Sequence, residues 1–439
     1  MAVDYLRAPP RHRLDPHRHV VTAWCMPLPL APLGVSGVHS QVAIGIVASA
    51  STMVERASRI GWIDVLRGWA VLSVILLHLN IRVPFAASRI GAGLPGPIIK
   101  AVFWSGYHGV IVFFVISGFL ITTMALERWR ALDHIPLREF YVRRFARILP
   151  CLLLFVVVQS ALQLALGEPF SSQTSPTSLP RTVLAALTFH LNWLEARDGY
   201  LPGAWDVLWS LSIEEAFYAF FPILCVLIRW PSALVVALGG FVLAGPFARS
   251  SSAANEIWAD HGYFSCMGEI ALGCLTALYA ARVRTSPERA RLLAMGGAGL
   301  MVFVIFFRRA LFDWGISPRG LHVNLLALGT ALVILSVHSR PDWNVSSGGA
   351  GLRGLRRLGR ISYEVYLSHL FVILPAVVVF EALGSPKSAI VPFDLLNLVA
   401  TGLVGAWLAK YFSEPLNRRL RAALLLPESQ RSDRQLLDE

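Results

Sequence analysis

Apolar runs long enough to cross a lipid bilayer recur from residue 61 almost to the end of the chain. They lie at about 61–80, 107–126, 148–166, 207–228, 232–248, 262–281, 292–307, 321–338, 361–382 and 390–412. A hydrocarbon core needs about 20 apolar residues per helical crossing, and within it every backbone polar group has to be satisfied inside the protein. Of the 439 residues, 55% are hydrophobic and 15% charged, whereas a soluble domain carries about 25% charged residues. The mean hydropathy is +0.58. The chain is therefore predicted to be all-α, a polytopic helical membrane bundle of about ten transmembrane helices.

One further run, Val183–Leu194, is short for a crossing and contains His190 and Asn192. Loop charge decides its place. With ten crossings, Arg128, Arg130, Arg138, Arg143, Arg144 and Arg147 share one side with Arg282–Arg291, Arg353–Arg360 and Arg418–Arg421. Adding an eleventh crossing would move the blocks at 282–291 and 353–360 outside, against the tendency of basic loops to stay cytoplasmic. Both termini are thus expected in the cytoplasm, with Val183–Leu194 a re-entrant or interfacial segment on the outer side. The same loop bias accounts for the net charge of +12, and nucleic acid is not expected as a partner. Residues 1–58 read as a disordered cytoplasmic tail without a signal-peptide arrangement, and His12, His17 and His19 there as solvated. Residues 59–422 form the membrane domain and 423–439 a polar C-terminal tail. Five cysteines without close spacing indicate neither a disulfide nor a metal site.

Several polar residues interrupt these runs. Arg67 and His78 lie 78 − 67 = 11 positions apart, close to three helical turns, so they share a face with about 16 Å of rise between them. Charges in a bilayer are costly and call for a partner, a wet cavity or a chemical role. Asp64 stands one turn before Arg67 and can pair with it, so a topological anchor is the competing explanation. His78 can act as a general base, or satisfy a hydrogen bond within the bundle. In the loop Phe140–Pro150, Arg144 and Arg147 lie a turn apart and face the cytosol where the third helix begins. They suit phosphate recognition, or orientation and headgroup contact. In Trp209-Ser-Leu-Ser-Ile-Glu-Glu-Ala-Phe-Tyr218, positions 210, 214 and 218 align, so Ser210, Glu214 and Tyr218 can form a polar strip facing the bundle interior. Tyr363 and His369 open the ninth run, and His369 can pair with a neighbour there. Ser117-Gly118 reads as a small-residue helix contact. Glu269 is a buried-carboxylate candidate with no partner evident in the sequence.

Taken together, IDVLRGWAVLSVILLH, FFVISGFLIT, YVRRFARILP, WSLSIEEAFY, GRISYEVYLSHLFVI and Tyr411-Phe-Ser-Glu-Pro415 occur in one order over about residues 60–420. This set resembles acyltransferase family 3, the bacterial membrane acyltransferases that modify surface sugars and some small glycosides. The resemblance implies ten core helices in the bacterial inner (plasma) membrane. It implies an O-acyltransferase that takes an acyl group, commonly acetyl, from acyl-CoA as co-substrate, without a permanently bound cofactor or metal. The acceptor would be a carbohydrate or lipid-linked glycan hydroxyl.

By motif match, Arg67 and His78 would be the essential pair, Arg144 and Arg147 the acyl-CoA phosphate ligands, and Glu214 the essential carboxylate. His78 would deprotonate the acceptor or carry the acyl group. Arg67 would stabilise charge or fix the acyl arm, and Glu214 would bind sugar hydroxyls or orient His78. His78 and the pair Arg144 and Arg147 are expected to open onto one shared passage through the bundle. Asp64, Ser210, Tyr218, Tyr363 and His369 would bind substrate or support the site. The long N-terminal tail and Ser368 depart from the family's pattern. The chain stops soon after its tenth run, so any second transfer step is expected from another protein. The rival expectation is a polytopic transporter or flippase for a glycan or acyl carrier, because buried Arg, His and Glu also build solute paths.

Overall fold

The computed structural model describes residues 61–171, 176–283, 285–340 and 349–425, and their regular structure is entirely helical. Ten helices among them are long and apolar enough to cross a membrane. They are α1 (Gly61–Arg82), α2 (Gly106–Trp129), α3 (Leu137–Ala165), α4 (Trp205–Leu227), α5 (Pro231–Ser251), α6 (Glu256–Ala280), α7 (Pro287–Phe306), α8 (Leu321–His338), α9 (Ser362–Ala382) and α10 (Lys387–Leu425). The segment around Val183–Leu194 forms two short helices, Leu179–Leu187 and Leu191–Asp198, neither of which is a span. The chain is a multi-pass membrane protein.

Local chemistry sets several helix ends. Ser286 accepts from the Arg289 amide at 3.4 Å with Pro287 at the first helical position of α7, a side-chain cap followed by a residue whose missing N–H costs nothing there. The chain leaves α2 through a left-handed residue, Arg130. Helix α3 begins at Leu137, eleven residues before the apolar run, so the arginine-rich segment expected to be a loop forms its first three turns. Arg, Leu and Glu all favour helix, whereas hydropathy registers only where the lipid-like stretch begins. Helix α10 passes through a π turn at Ala409–Ser413 and runs to Leu425, so the expected domain end at 422 falls inside a helix. The tail expected over 1–58 and most of that over 423–439 lie outside the described residues.

The core has two apolar clusters. One gathers α2, α3, α4, α6 and α8 around Phe114, Phe119, Leu152, Phe221 and Ile270. The other packs Val71, Ile75 and Leu79 of α1 against Val365, Ile373 and Val377 of α9. Helix α1 serves both, because Ala70 and Val74 on its neighbouring face belong to the first cluster. Helices α2 and α6 touch backbone to backbone, since a Cβ on Gly118 would overlap the Ile270 carbonyl and one on Gly273 the Val115 carbonyl. Ser117-Gly118 is therefore the small-residue contact the sequence suggested. By contrast, only 17% of α5's apolar window is buried, and Val236, Leu243 and Phe247 project from it. Such apolar outward faces suit lipid as the solvent. Four buried cysteines, Cys151, Cys225, Cys266 and Cys274, are free thiols.

Candidate active site

The polar residues converge where α1 and α9 meet α2, α3 and α4. A first cavity of about 270 Å³ is lined by Arg67 of α1, Arg144 and Arg147 of α3, Ser210, Glu214 and Tyr218 of α4, and Tyr363 and Tyr366 of α9. Its remaining wall is apolar, with Phe113, Phe114 and Leu120 among its residues. Ser210, Glu214 and Tyr218 do share one face. Tyr218 donates to Glu214 Oε2 at 3.5 Å and is hydrogen-bonded to Ser117. Glu215 is also buried but does not line this cavity.

Arg144 and Arg147 line this cavity from within a helix, where a loop was expected. Three helical turns precede the apolar run, and these carry both side chains inward. The two arginines have different surroundings. Arg147 Nη1 donates to Glu364 Oε1 at 2.7 Å and Nη2 to Oε2 at 3.5 Å. Ser413, in the π turn of α10, donates to the same Oε1 at 2.6 Å and receives Arg147 Nη1 at 3.2 Å. Glu364 is 1% exposed. Arg147 is therefore held by a carboxylate of its own. The Arg144 guanidinium instead stands 4.3 Å from the centre of the Tyr218 ring, and its Nε is buried without a hydrogen-bond partner. Charged donors of this kind bind phosphate or carboxylate strongly. Asp64 is buried between Arg67 at 3.9 Å and Arg360 at 3.5 Å. The expected Asp64–Arg67 pair exists, shared with a second arginine. Tyr363 lines the cavity and donates to the Ile148 carbonyl at 2.8 Å.

His78 opens onto a second cavity, of about 510 Å³, with Arg82, Tyr107, Asp206, Trp209 and His261. The single passage expected for His78 and the pair Arg144 and Arg147 is thus divided. The two cavities share two lining residues, Val110 and Tyr366. Tyr366 donates to the Val207 carbonyl at 2.9 Å and takes the Ser210 hydroxyl at 2.8 Å. A residue 156 positions from Ser210 closes the way, which helix spacing within α1 cannot reveal.

His369 does find a neighbour. Its ring centre lies 5.0 Å from that of His78. Its Nδ1 donates to the Tyr366 carbonyl at 2.7 Å, so the neutral form of the ring has Nε2 as its acceptor. That Nε2 and His78 Nδ1 are both buried without hydrogen-bond partners. Glu269, unpartnered in the sequence, receives Arg249 at 3.2 Å between α5 and α6, and neither residue lines either cavity.

Sequence reasoning passed over Glu364, Tyr366, Asp206 and His261. The first two stand inside the motif that drew attention to Tyr363 and His369. Asp206 immediately precedes the Trp209 motif, and an acid at the mouth of an apolar run was the available signal.

Comparison with known proteins places this geometry. The family model of acyltransferase family 3, an acyltransferase domain, matches residues 60–411. The chain is 25% identical over 377 residues to the peptidoglycan O-acetyltransferase OatA of Listeria monocytogenes, covering 81% of this chain and 55% of that protein. It is 23% identical over 387 residues to the O-acetyltransferase OatA of Staphylococcus aureus, covering 83% of this chain and 58% of that protein. The chain thus spans little more than half the length of these relatives. No solved structure matches it. The six motifs, the ten spans and the matched residues all point to one assignment, and the chain belongs to acyltransferase family 3.

Proposed function

We propose that the protein transfers an acyl group, acetyl by preference, from acyl-CoA to a carbohydrate hydroxyl in the bacterial inner membrane. The observation that carries this reading is the pair of abutting cavities, one basic and partly apolar, the other containing His78, with Tyr366 between them. The Arg67 end lies on the side of the arginine-rich loops, so it is read as cytoplasmic, with both termini of the domain on that side. Acyl-CoA enters there. Its phosphates meet Arg144 and Arg67, and its thioester arm runs along Phe113, Phe114 and Leu120 toward Tyr366. The acceptor enters from the other end.

For the reacting atoms to meet, Tyr366 has to leave Val207 and Ser210 so that the cavities join. His78 then removes the hydroxyl proton as the oxygen attacks the thioester carbonyl. A C–O bond forms, the C–S bond breaks, and the CoA thiolate leaves and is protonated. His369, fixed by the Tyr366 carbonyl, orients the His78 ring, and Glu214 faces the acyl arm. Arg67, about three turns from His78 along α1, stays with the phosphate end of the donor.

Two cavities separated by a closed partition are also what a transporter presents, and that observation keeps the second reading in play. Proteoliposomes given labelled acetyl-CoA and a glycan distinguish the two. The enzyme releases CoA and leaves label on the glycan, and His78→Ala abolishes both. Glycan movement without CoA release would refute the acyltransfer reading.

A further inference from the structure

We propose that Asp206 and His261, facing the cavity that holds His78, form the acceptor subsite and bind an uncharged, hydroxyl-rich sugar ring. This rests on the reading that His78 acts on an acceptor hydroxyl. The cavity is open to ligand, because Ile81 and Tyr200, 51% and 65% exposed, stand on its wall. Its volume of about 510 Å³ falls in the range of about 300–1,000 Å³ usual for small-molecule sites.

Three buried polar atoms cluster on one wall without hydrogen-bond partners: Asp206 Oδ1, His261 Nδ1 and, behind them, Glu195 Oε2. His261 is 7% exposed and Glu195 fully buried. The Glu195 and His261 atoms are 3.9 Å apart, too far to satisfy each other. Unpaired groups of this kind are costly and call for an occupant. The His261 ring lies flat on Trp209, with centres 3.8 Å apart and planes 4° from parallel, so its edge rather than its face is available.

Hydroxyl groups both donate and accept, so a sugar can satisfy a carboxylate and an imidazole at once. The charge around the cavity disfavours an anion. Arg82, the cation on its wall, donates to the His78 carbonyl at 3.0 Å and is opposed by the Asp206 carboxyl, while Asp260 on the same wall is set against the buried Arg249. Burial and the neighbouring Asp206 carboxyl hold the Glu195 carboxyl well above the ordinary carboxylate range, and the two carboxyls meet behind the wall. An acceptor bound here presents one hydroxyl to Asp206 and another to His78.

The test is saturation-transfer NMR on the full chain in nanodiscs. Methyl glycosides of glucose, galactose, mannose and N-acetylglucosamine are compared with methyl glucuronide. At least one uncharged glycoside is expected to bind, more strongly than the glucuronide. Asp206→Leu and His261→Phe should each weaken that binding about tenfold, as loss of a hydrogen bond to a charged or fixed partner does. Asp206→Asn keeps the shape and should lose less. Thermal unfolding in the same nanodiscs checks that each variant is folded.

Three results would overturn the proposal: no uncharged glycoside binding, which leaves water as the occupant; binding indifferent to both substitutions; or the glucuronide binding best. Asp206-dependent glycoside binding without any acetyl transfer would sink the acyltransfer reading and leave the subsite standing. Transfer together with Asp206-independent binding would do the reverse.

Discussion

Replacing Glu364 by Gln tests whether Arg147 is a structural cation or a substrate ligand. In the structure both Glu364 oxygens face Arg147, at 2.7 and 3.5 Å, and Ser413 adds a third contact. Removing one partner of a buried ion pair costs about 3–5 kcal/mol, because the other charge stays buried uncompensated. The Arg147 side chain is 27% exposed toward the cavity, so water screens part of that penalty. The amide also keeps one acceptor for Arg147 and one for Ser413. A loss of about 2–3 kcal/mol follows. At about 2–4 °C per kcal/mol for a large domain, the unfolding midpoint of Glu364→Gln should fall by about 4–12 °C in nanodiscs. Arg147→Gln should fall similarly. The double variant should fall by much less than the sum, because the two residues share one interaction. Arg144→Gln should leave the midpoint nearly unchanged and raise KM for acetyl-CoA about tenfold or more, as loss of a charged phosphate contact does. Equal midpoints for wild type and Glu364→Gln, or strictly additive single effects, would refute the clamp. Arg147 would then be as free to meet substrate as Arg144.

Four further outcomes are expected. His78→Ala should insert and fold normally while losing acetyl transfer, as read by membrane fractionation and label on glycan; full transfer would exclude both a base and an acyl-carrier role. Tyr366→Phe removes the hydroxyl that joins Val207 and Ser210, so the partition should open more often. Acceptor-independent hydrolysis of acetyl-CoA should then rise between about fivefold and about a hundredfold, for the loss of two neutral hydrogen bonds of about 0.5–1.5 kcal/mol each. Burial raises the Glu195 carboxyl above its ordinary value of 4.5, so the folded chain keeps a proton that the unfolded chain releases. Stability should therefore fall as pH rises from 4.5 upward, and Glu195→Gln should remove that slope in a series of thermal midpoints. Gly118→Val places carbon against the Ile270 carbonyl, and the folded fraction after extraction should drop sharply; wild-type yield would disprove the close α2–α6 contact.

What was legible in the sequence follows from the cost of placing particular groups in lipid. Ten spans were countable because the bilayer imposes a length on each apolar run. Arg67, His78 and Glu214 stood out because an ionisable group inside such a run is expensive. The start of α3 was not legible. Arg138, Arg143, Arg144 and Arg147 lower the hydropathy just where the helix is already formed, so hydropathy starts the run at 148 and two side chains of the cavity wall read as a loop. Contacts between helices distant in sequence were not legible either. Glu364 lies 217 positions from Arg147, and Tyr366 lies 156 from Ser210. Each was visible as a polar residue in a motif, and neither carries in its own helix any sign of what it meets.

That pairing changes how the arginine motif is to be understood. Two arginines a turn apart suggest a symmetrical phosphate clamp, yet the buried Glu364 cancels one of them and ties α3 to α9 and to the π turn of α10. The remaining positive charge in the first cavity comes from Arg144 and from Arg67, whose partner Asp64 is shared with Arg360, set against Glu214. Arg147 then works through position. It fixes α9, and α9 carries Tyr366 and His369, the partition and the neighbour of His78. A substitution at Arg147 that abolishes activity is therefore not by itself evidence of phosphate binding. Activity data at this residue need the unfolding midpoint beside them, and a loss of transfer with an unchanged midpoint would return Arg147 to the substrate.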